Sequence, residues 1–368
     1  MFFPISKPSI TQLEIDYVTD AVKSTWISSL GPYIDRFESE FASFCEARFG
    51  VSVANGTVAL HLSLVAQGIG PGDEVIMPNL SFVATANAVL HAGATPVLVD
   101  IEPFTLCMDP KKIEASITPR TRVIMPVHLY GHPADMPAIM DIASRHKLIV
   151  IEDAAEAHGA RAYGRRVGSW GHCATFSFYG NKNMTTGEGG MITTNDETLY
   201  HRLRYLRDHA MSKEKRYWHT EVGYNYRITN IQAALGCAQL ERIDSLMGKR
   251  RQLYTWYQSA LQGISGISLN RTQSWAENSY WLICLEVEDF DEQRRDAFML
   301  GLKQLGVDTR PYFYPMSLMP YLQILRQVDT PVTNKTYQRG INLPTYFDLL
   351  ESDITVITDA IKKHLYVK

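Results

Sequence analysis

Short apolar runs alternate with stretches of helical spacing through the first 200 or so residues of this chain. The runs at 50–54, 74–78, 95–100, 122–127 and 148–152 are strand-sized and mostly apolar. Between them, 57–67, 82–91, 109–115 and 136–146 read as helices. Nearly continuous apolar strands alternating with helices form a parallel sheet covered on both faces, because each parallel crossover lays a helix on one face. Two further strands, 173–178 and 190–194, are separated by a polar, glycine-rich loop. Helices are expected at 197–207 and, long and amphipathic, at 230–251. After about residue 255 the style changes. Short strands at 266–269, 281–287 and 307–309 mix with helices at 291–305 and 351–364. A chain of 368 residues suits two domains. The expectation is an α/β protein with a large, mostly parallel sheet domain (1–250) and a smaller C-terminal α/β domain (251–368).

Charge and composition narrow the function. Lysine and arginine number 36 against 39 acidic residues, a net charge of −3, so the basic excess of a nucleic-acid binder is missing. No apolar run approaches the roughly 18 residues that span a bilayer, and no membrane partner is expected. The N-terminus has no basic stretch ahead of its apolar residues, which stop at Pro4, so it does not read as a signal peptide. Cys45, Cys107, Cys173, Cys237 and Cys284 are odd in number and far apart. They read as buried small hydrophobes in a reducing compartment, and a cytoplasmic location is expected. His128 and His132 have a helical metal spacing, but Gly131 and Pro133 break any helix there, so no metal site is expected. Lys213, Lys215 and Arg216 form a basic loop that suits a nucleotide diphosphate or simply water. Lys249, Arg250 and Arg251 read as a solvated helix face.

Three segments carry chemistry. In Asn55-Gly56-Thr57 a strand ends, a glycine follows and a helix opens. Free N–H groups and the helix dipole then converge where a phosphate fits, although Thr57 alone could equally be an N-cap. In Glu152-Asp153-Ala154-Ala155-Glu156 a buried strand delivers acids to its C-terminal end, where α/β sheets keep their sites. Asp153 there suits a pyridinium nitrogen or the cap of the next segment. In Ser177-Phe178-Tyr179-Gly180-Asn181-Lys182 a lysine follows a strand within a loop of small polar residues. Such a lysine can bond to an aldehyde once its amine is deprotonated, and Ser177 can share the phosphate with Thr57.

The cradle, the acid and the lysine fall on successive strands, in the order of fold type I aminotransferases that bind pyridoxal 5′-phosphate. At this point the chain resembles the sugar-nucleotide aminotransferases of the DegT/DnrJ/EryC1/StrS family. The resemblance runs through Thr25-Trp26-Ile27-Ser28-Ser29, 55–60, 70–75, Pro126-Val127-His128-Leu129-Tyr130-Gly131, 152–159, 176–190 and Gly223-Tyr224-Asn225-Tyr226-Arg227. These blocks stand in family order along essentially the whole chain.

The resemblance implies an aspartate aminotransferase-like fold and a set of roles. Lys182 aligns with the lysine that bonds to the cofactor; relatives with histidine there are dehydratases. Asp153 aligns with the partner of the ring nitrogen, and Glu156 with a residue near the ring hydroxyl, often glutamine. Gly56, Thr57 and Ser177 align with phosphate contacts, and Phe82 with an aromatic that stacks on the ring, its alternative being core packing. Asn225 aligns with an asparagine that reaches the phosphate from the other subunit, which implies a homodimer with shared sites. The implied substrates are L-glutamate and a nucleotide-linked keto sugar. Segments 24–29, 216–230, 310–315 and 340–344 are similar to members that aminate C4 of GDP-4-keto-6-deoxy-D-mannose for O-antigen and other cell-surface polysaccharides. Those members often read Thr-Tyr-Ile-Ala-Ser where this chain has Ser81-Phe82-Val83-Ala84-Thr85. That change keeps open dTDP-4-keto-6-deoxyglucose as substrate, a 3-keto sugar, and dehydration. A nicotinamide enzyme would need a glycine-rich loop after its first strand and an acid about 20 residues on, and neither is present.

Overall fold

The computed structural model describes residues 2–323 and 329–365. Its main sheet has seven strands in the order Phe49–Val53, Gly190–Thr194, Cys173–Ser177, Ile149–Asp153, Thr121–Ile124, Glu74–Pro78, Thr95–Val99. The five from Cys173–Ser177 to Thr95–Val99 run parallel, as the alternation requires. Gly190–Thr194 is antiparallel to both its neighbours. The cause is local. Only the loop 178–189, with no helix in it, joins Cys173–Ser177 to Gly190–Thr194. A parallel crossover usually lays a helix across the sheet, and this loop has none; the chain doubles back.

Helices cover the sheet because its strands are apolar on both faces. Val75, Ile76 and Met77 are fully buried in succession, as are Val150 and Ile151. Helix Gly56–Ala66 is buried almost all round, from Ala59 through Leu64, since it lies between the sheet and helices Ala84–His91 and Glu197–Arg207. A second, antiparallel sheet of Ile267–Leu269, Ile283–Val287, Gly340–Leu343 and Arg310–Pro311 builds the C-terminal unit. Phe3 packs in its core with Leu253, Ile283 and Ile341.

Several elements differ from the sequence reading. Two N-terminal helices, Gln12–Lys23 and Pro32–Phe44, were not anticipated. The expected helix 230–251 is two helices, Asn230–Glu241 and Ile243–Ala260, that meet at Arg242. Arg242 is drawn out of line by an ion pair with buried Glu14 and hydrogen bonds to Ser9. The strand expected at 307–309 pairs instead at Arg310–Pro311, while Val307 bridges Phe3. Arg250 is buried rather than solvated. No helix among the described residues is long and apolar enough to cross a membrane. All five cysteines are free and buried.

One buried carboxylate holds the scaffold under the site. Successive strand residues point to opposite faces, so Glu152 and Asp153 diverge. Glu152 is fully buried and accepts hydrogen bonds from the N–H groups of Gly168, Trp170 and Gly171. It also meets His128 Nε2 at 3.0 Å. His128 Nδ1 accepts the Ala134 N–H, so Nε2 carries the proton and donates to Glu152. Glu152→Ala leaves these donors buried and unpaired. It is expected to lower stability by about 3–5 kcal/mol, read from the urea midpoint at unchanged m-value.

Candidate active site

A cavity of about 530 Å³ opens at the C-terminal ends of the parallel strands. Its floor begins where Phe49–Val53 hands over to helix Gly56–Ala66. Asn55, not Thr57, is the N-cap: its side chain accepts the Val58 N–H at 3.0 Å. Thr57 is therefore released from capping, and it lines the cavity with Gly56 at the start of the helix. Ser177 closes the other side of this cradle. A Cβ at Gly56 would lie 2.8 Å from the Ser177 Cβ, so only glycine lets the two segments approach this closely.

Asp153 sits deeper, 5% exposed. Its Oδ2 accepts the Thr85 hydroxyl at 2.8 Å and its Oδ1 the Ala155 N–H at 3.2 Å. Ser81 in turn meets the Thr85 hydroxyl at 2.9 Å. Burial raises the Asp153 pKa, opposed by the Thr85 hydrogen bond and, less strongly, by Lys182. Glu156 is also buried, and its Oε2 accepts the Tyr130 N–H at 2.8 Å. Tyr130 holds a φ of +51° to aim that N–H, a left-handed conformation that a tyrosine rarely adopts. Burial pushes the Glu156 carboxyl up to about 7 against the pull of Lys182.

Lys182 enters from the loop after Cys173–Ser177, its backbone N–H bonded to the Tyr179 carbonyl. Its Nζ stands 3.7 Å from Glu156 Oε1 and 3.8 Å from the ring centroid of Trp281. Burial lowers its pKa, while Glu156 and Asp153 pull the other way. Phe82 forms one wall with its ring 55% exposed, which removes the core-packing alternative. The Phe313 ring is 5.7 Å from it.

The structure thus gathers Gly56, Thr57, Phe82, Asp153, Glu156, Ser177 and Lys182 around one cavity. Asn225 is not among its lining residues. It is exposed, bridges Asp208, and accepts a hydrogen bond from Arg227. The basic loop lies elsewhere, with Lys213 and Arg216 beside Arg204 and Arg207 in a cavity of about 620 Å³. His132 is occupied by Pro133 and Gln273, and no cluster of three or more metal-ligating side chains occurs among the described residues. Sequence reasoning missed Thr85, Trp281 and Phe313 as site residues. Thr85 sits three residues after Phe82, on the first turn of its helix, and was open to reading. Trp281 and Phe313 arrive from the distant C-terminal unit, with no local spacing to mark them.

A deprotonatable lysine between buried carboxyls, beside a helix start free for a phosphate, suits an enzyme that holds an aldehyde on an amine. That is the site of an aminotransferase of fold type I. The chain belongs to the DegT/DnrJ/EryC1/StrS aminotransferase family, whose model matches residues 8–362. It is 46% identical to a GDP-perosamine synthase of Caulobacter vibrioides and 41% to one of Escherichia coli O157:H7, each alignment covering 98% of both chains. Among solved structures it matches DesV of S. venezuelae in complex with a ketimine intermediate. There the TM-score is 0.90 at 37% identity, over 96% of this chain and 95% of that one. It also matches the PLP form of the putative sugar aminotransferase Spr1654 of Streptococcus pneumoniae, with TM-score 0.94 at 28% identity, over 99% and 98%. The donor set fits pyridoxal phosphate: a cradle that a Cβ would fill, a buried acid for a ring nitrogen, and a buried amine paired with Glu156.

Glu156 gives a pH test. Its folded-state pKa is raised from 4.5 to about 7, so the folded protein holds this proton more tightly than the unfolded chain. Its contribution is therefore most favourable below about pH 4.5 and is lost as pH rises through 7. Glu156→Gln, which cannot titrate, is expected to gain on the wild type by about 2 kcal/mol between pH 5 and 8 in the cofactor-free protein. Chemical denaturation at each pH measures the gap.

Proposed function

We propose that this protein is a pyridoxal phosphate-dependent aminotransferase that moves an amino group from L-glutamate to C4 of GDP-4-keto-6-deoxy-D-mannose. The product is GDP-perosamine, for O-antigen and related cell-surface polysaccharides. The observation that carries the reading is the full-length likeness to GDP-perosamine synthases. When bound, the cofactor supplies an aldehyde for amine exchange and a protonated ring that draws electrons from the adjacent carbon. Gly56, Thr57 and Ser177 would hold its phosphate, Asp153 its ring nitrogen, Glu156 its hydroxyl and Phe82 its ring face. Lys182 would hold the aldehyde carbon and, once freed, would take and return the proton at the donor Cα.

In this reading residues 1–250 carry the cofactor and 251–368 cover it. Asn225, away from its own cavity, serves the partner's phosphate site in a homodimer. Lys182, where dehydratases carry histidine, favours transamination. The Ser81–Thr85 stretch beside the cofactor is where a dTDP-linked sugar would be selected instead.

Two experiments test this. The protein is given pyridoxal phosphate, L-glutamate, and either GDP-4-keto-6-deoxymannose or dTDP-4-keto-6-deoxyglucose. Mass spectrometry is expected to find the keto oxygen replaced by an amine on the GDP sugar alone, with ping-pong kinetics. Amination of the dTDP sugar alone moves the assignment to a viosamine-forming enzyme. Separately, Lys182→Ala and Asn225→Ala subunits are each expected to lose activity, by about 10³-fold for the lysine. Mixed and refolded together, they should regain about a quarter of wild-type activity, because half the dimers then carry one intact site. No recovery contradicts the shared site.

A further inference from the structure

We propose that the face of Trp281 is the seat of the Lys182 ammonium whenever that amine is not covalently engaged. The inference rests on the reading of Lys182 as the lysine that bonds to the cofactor, and it adds a residue which that reading does not contain. A transferring lysine is bonded in one state and free in the other. When free and protonated it is a charge in a side chain only 11% exposed. Glu156 Oε1 forms an ion pair with it at 3.7 Å, too long for a strong hydrogen bond, and the Asp153 oxygens are already engaged by Thr85 and Ala155. The indole, with its centroid 3.8 Å from Nζ, is a second compensation beside the Glu156 carboxylate. A cation over a tryptophan face gains most where water is excluded.

The ring is held for this purpose from both ends. Its Nε1–H donates to the carbonyl of Asn181, the residue before Lys182, at 2.8 Å. Its own carbonyl accepts Arg250 Nη1 at 2.7 Å, and the same Nη1 donates to the Thr345 carbonyl at 2.7 Å. Arg250 is buried, and burial alone pulls its pKa down to about 10, with no carboxylate offsetting it. A guanidinium held in such a place, with two carbonyls as its partners, ties the Trp281 segment to the Thr345 segment. Tyr130 and Phe313 lie nearly parallel to the indole, at 6.2 Å and 6.4 Å, and limit its tilt. Trp281 itself is 4% exposed.

A ring face stabilises ammonium over amine, so removing it makes Lys182 release its proton at lower pH. Loss of packing alone would do the opposite, since admitting water favours the charged form. Competitive acetylation of the cofactor-free protein by acetic anhydride, followed by mass spectrometry of the Lys182 peptide from pH 6 to 10, separates the two. Rates are normalised to the high-pH plateau. Trp281→Leu is expected to label Lys182 about tenfold faster at pH 8, and Trp281→Phe, which keeps a weaker face, about threefold faster. A midpoint that stays or rises in both variants overturns the proposal.

If the leucine variant does not fold, wild-type protein made with mono- and trifluorinated tryptophan decides. The midpoint should fall with each step of fluorination, and a constant midpoint overturns the proposal. Lys215 over Trp218 and Lys249 over Trp256, on more open rings, serve as internal comparators expected to move less. A borohydride adduct on another lysine would sink the covalent role of Lys182 while leaving this labelling result intact.

Discussion

Burying an amine and two carboxyl groups in one water-poor cavity is costly unless opposite charges offset one another or protons are given up. Lys182, Glu156 and Asp153 do this. Burial pushes both carboxyls toward their neutral forms and the amine toward its own; attraction between the amine and each carboxyl opposes these shifts, while Asp153 pushes Glu156 further up. The outcome is an amine that can lose its proton without leaving the protein interior. Group transfer at that position depends on this balance, and much of the scaffold serves to keep it.

The sheet holds the three groups through its strand ends. Ile149–Asp153 carries Asp153 into the cavity and Glu152 the opposite way, where the loop 168–171 and His128 satisfy it. Tyr130 takes a left-handed backbone to present its N–H to Glu156. Asn55 caps its helix so that Thr57 is left free, and Gly56 lets Ser177 come close. The C-terminal unit contributes Trp281 and Phe313, which close the cavity over Lys182 and opposite Phe82.

What the sequence made legible was local. Strand runs, the glycine between strand and helix, the acids ending a buried strand and the lysine in a glycine-rich loop lie within a few residues of their own context. The site residues they mark do converge, apart from Asn225, whose proposed place is in a second copy of the chain. What stayed hidden depends on distant partners. The break at Arg242 follows from Glu14, more than 200 residues earlier. Helix Gln12–Lys23 fully buries only Glu14 and Ala21, with Leu13, Tyr17 and Val18 half-buried beside them. Its readable signal was the Thr11-x-x-Glu14 capping box. The antiparallel turn of Gly190–Thr194 was readable too, from a polar, glycine-rich connection with no helical spacing in it. Trp281 reaches Lys182 from the C-terminal unit, and no spacing in the chain announces that contact.

The central claim is that Lys182, among the lysines of this chain, is the one that bonds to the cofactor. Reduction of the pyridoxal phosphate-loaded protein with borohydride makes that bond permanent, and peptide mass mapping then locates it. The account predicts a single adduct on the peptide holding Lys182, absent from Lys182→Ala. An adduct on any other lysine, or one that persists in Lys182→Ala, would contradict it.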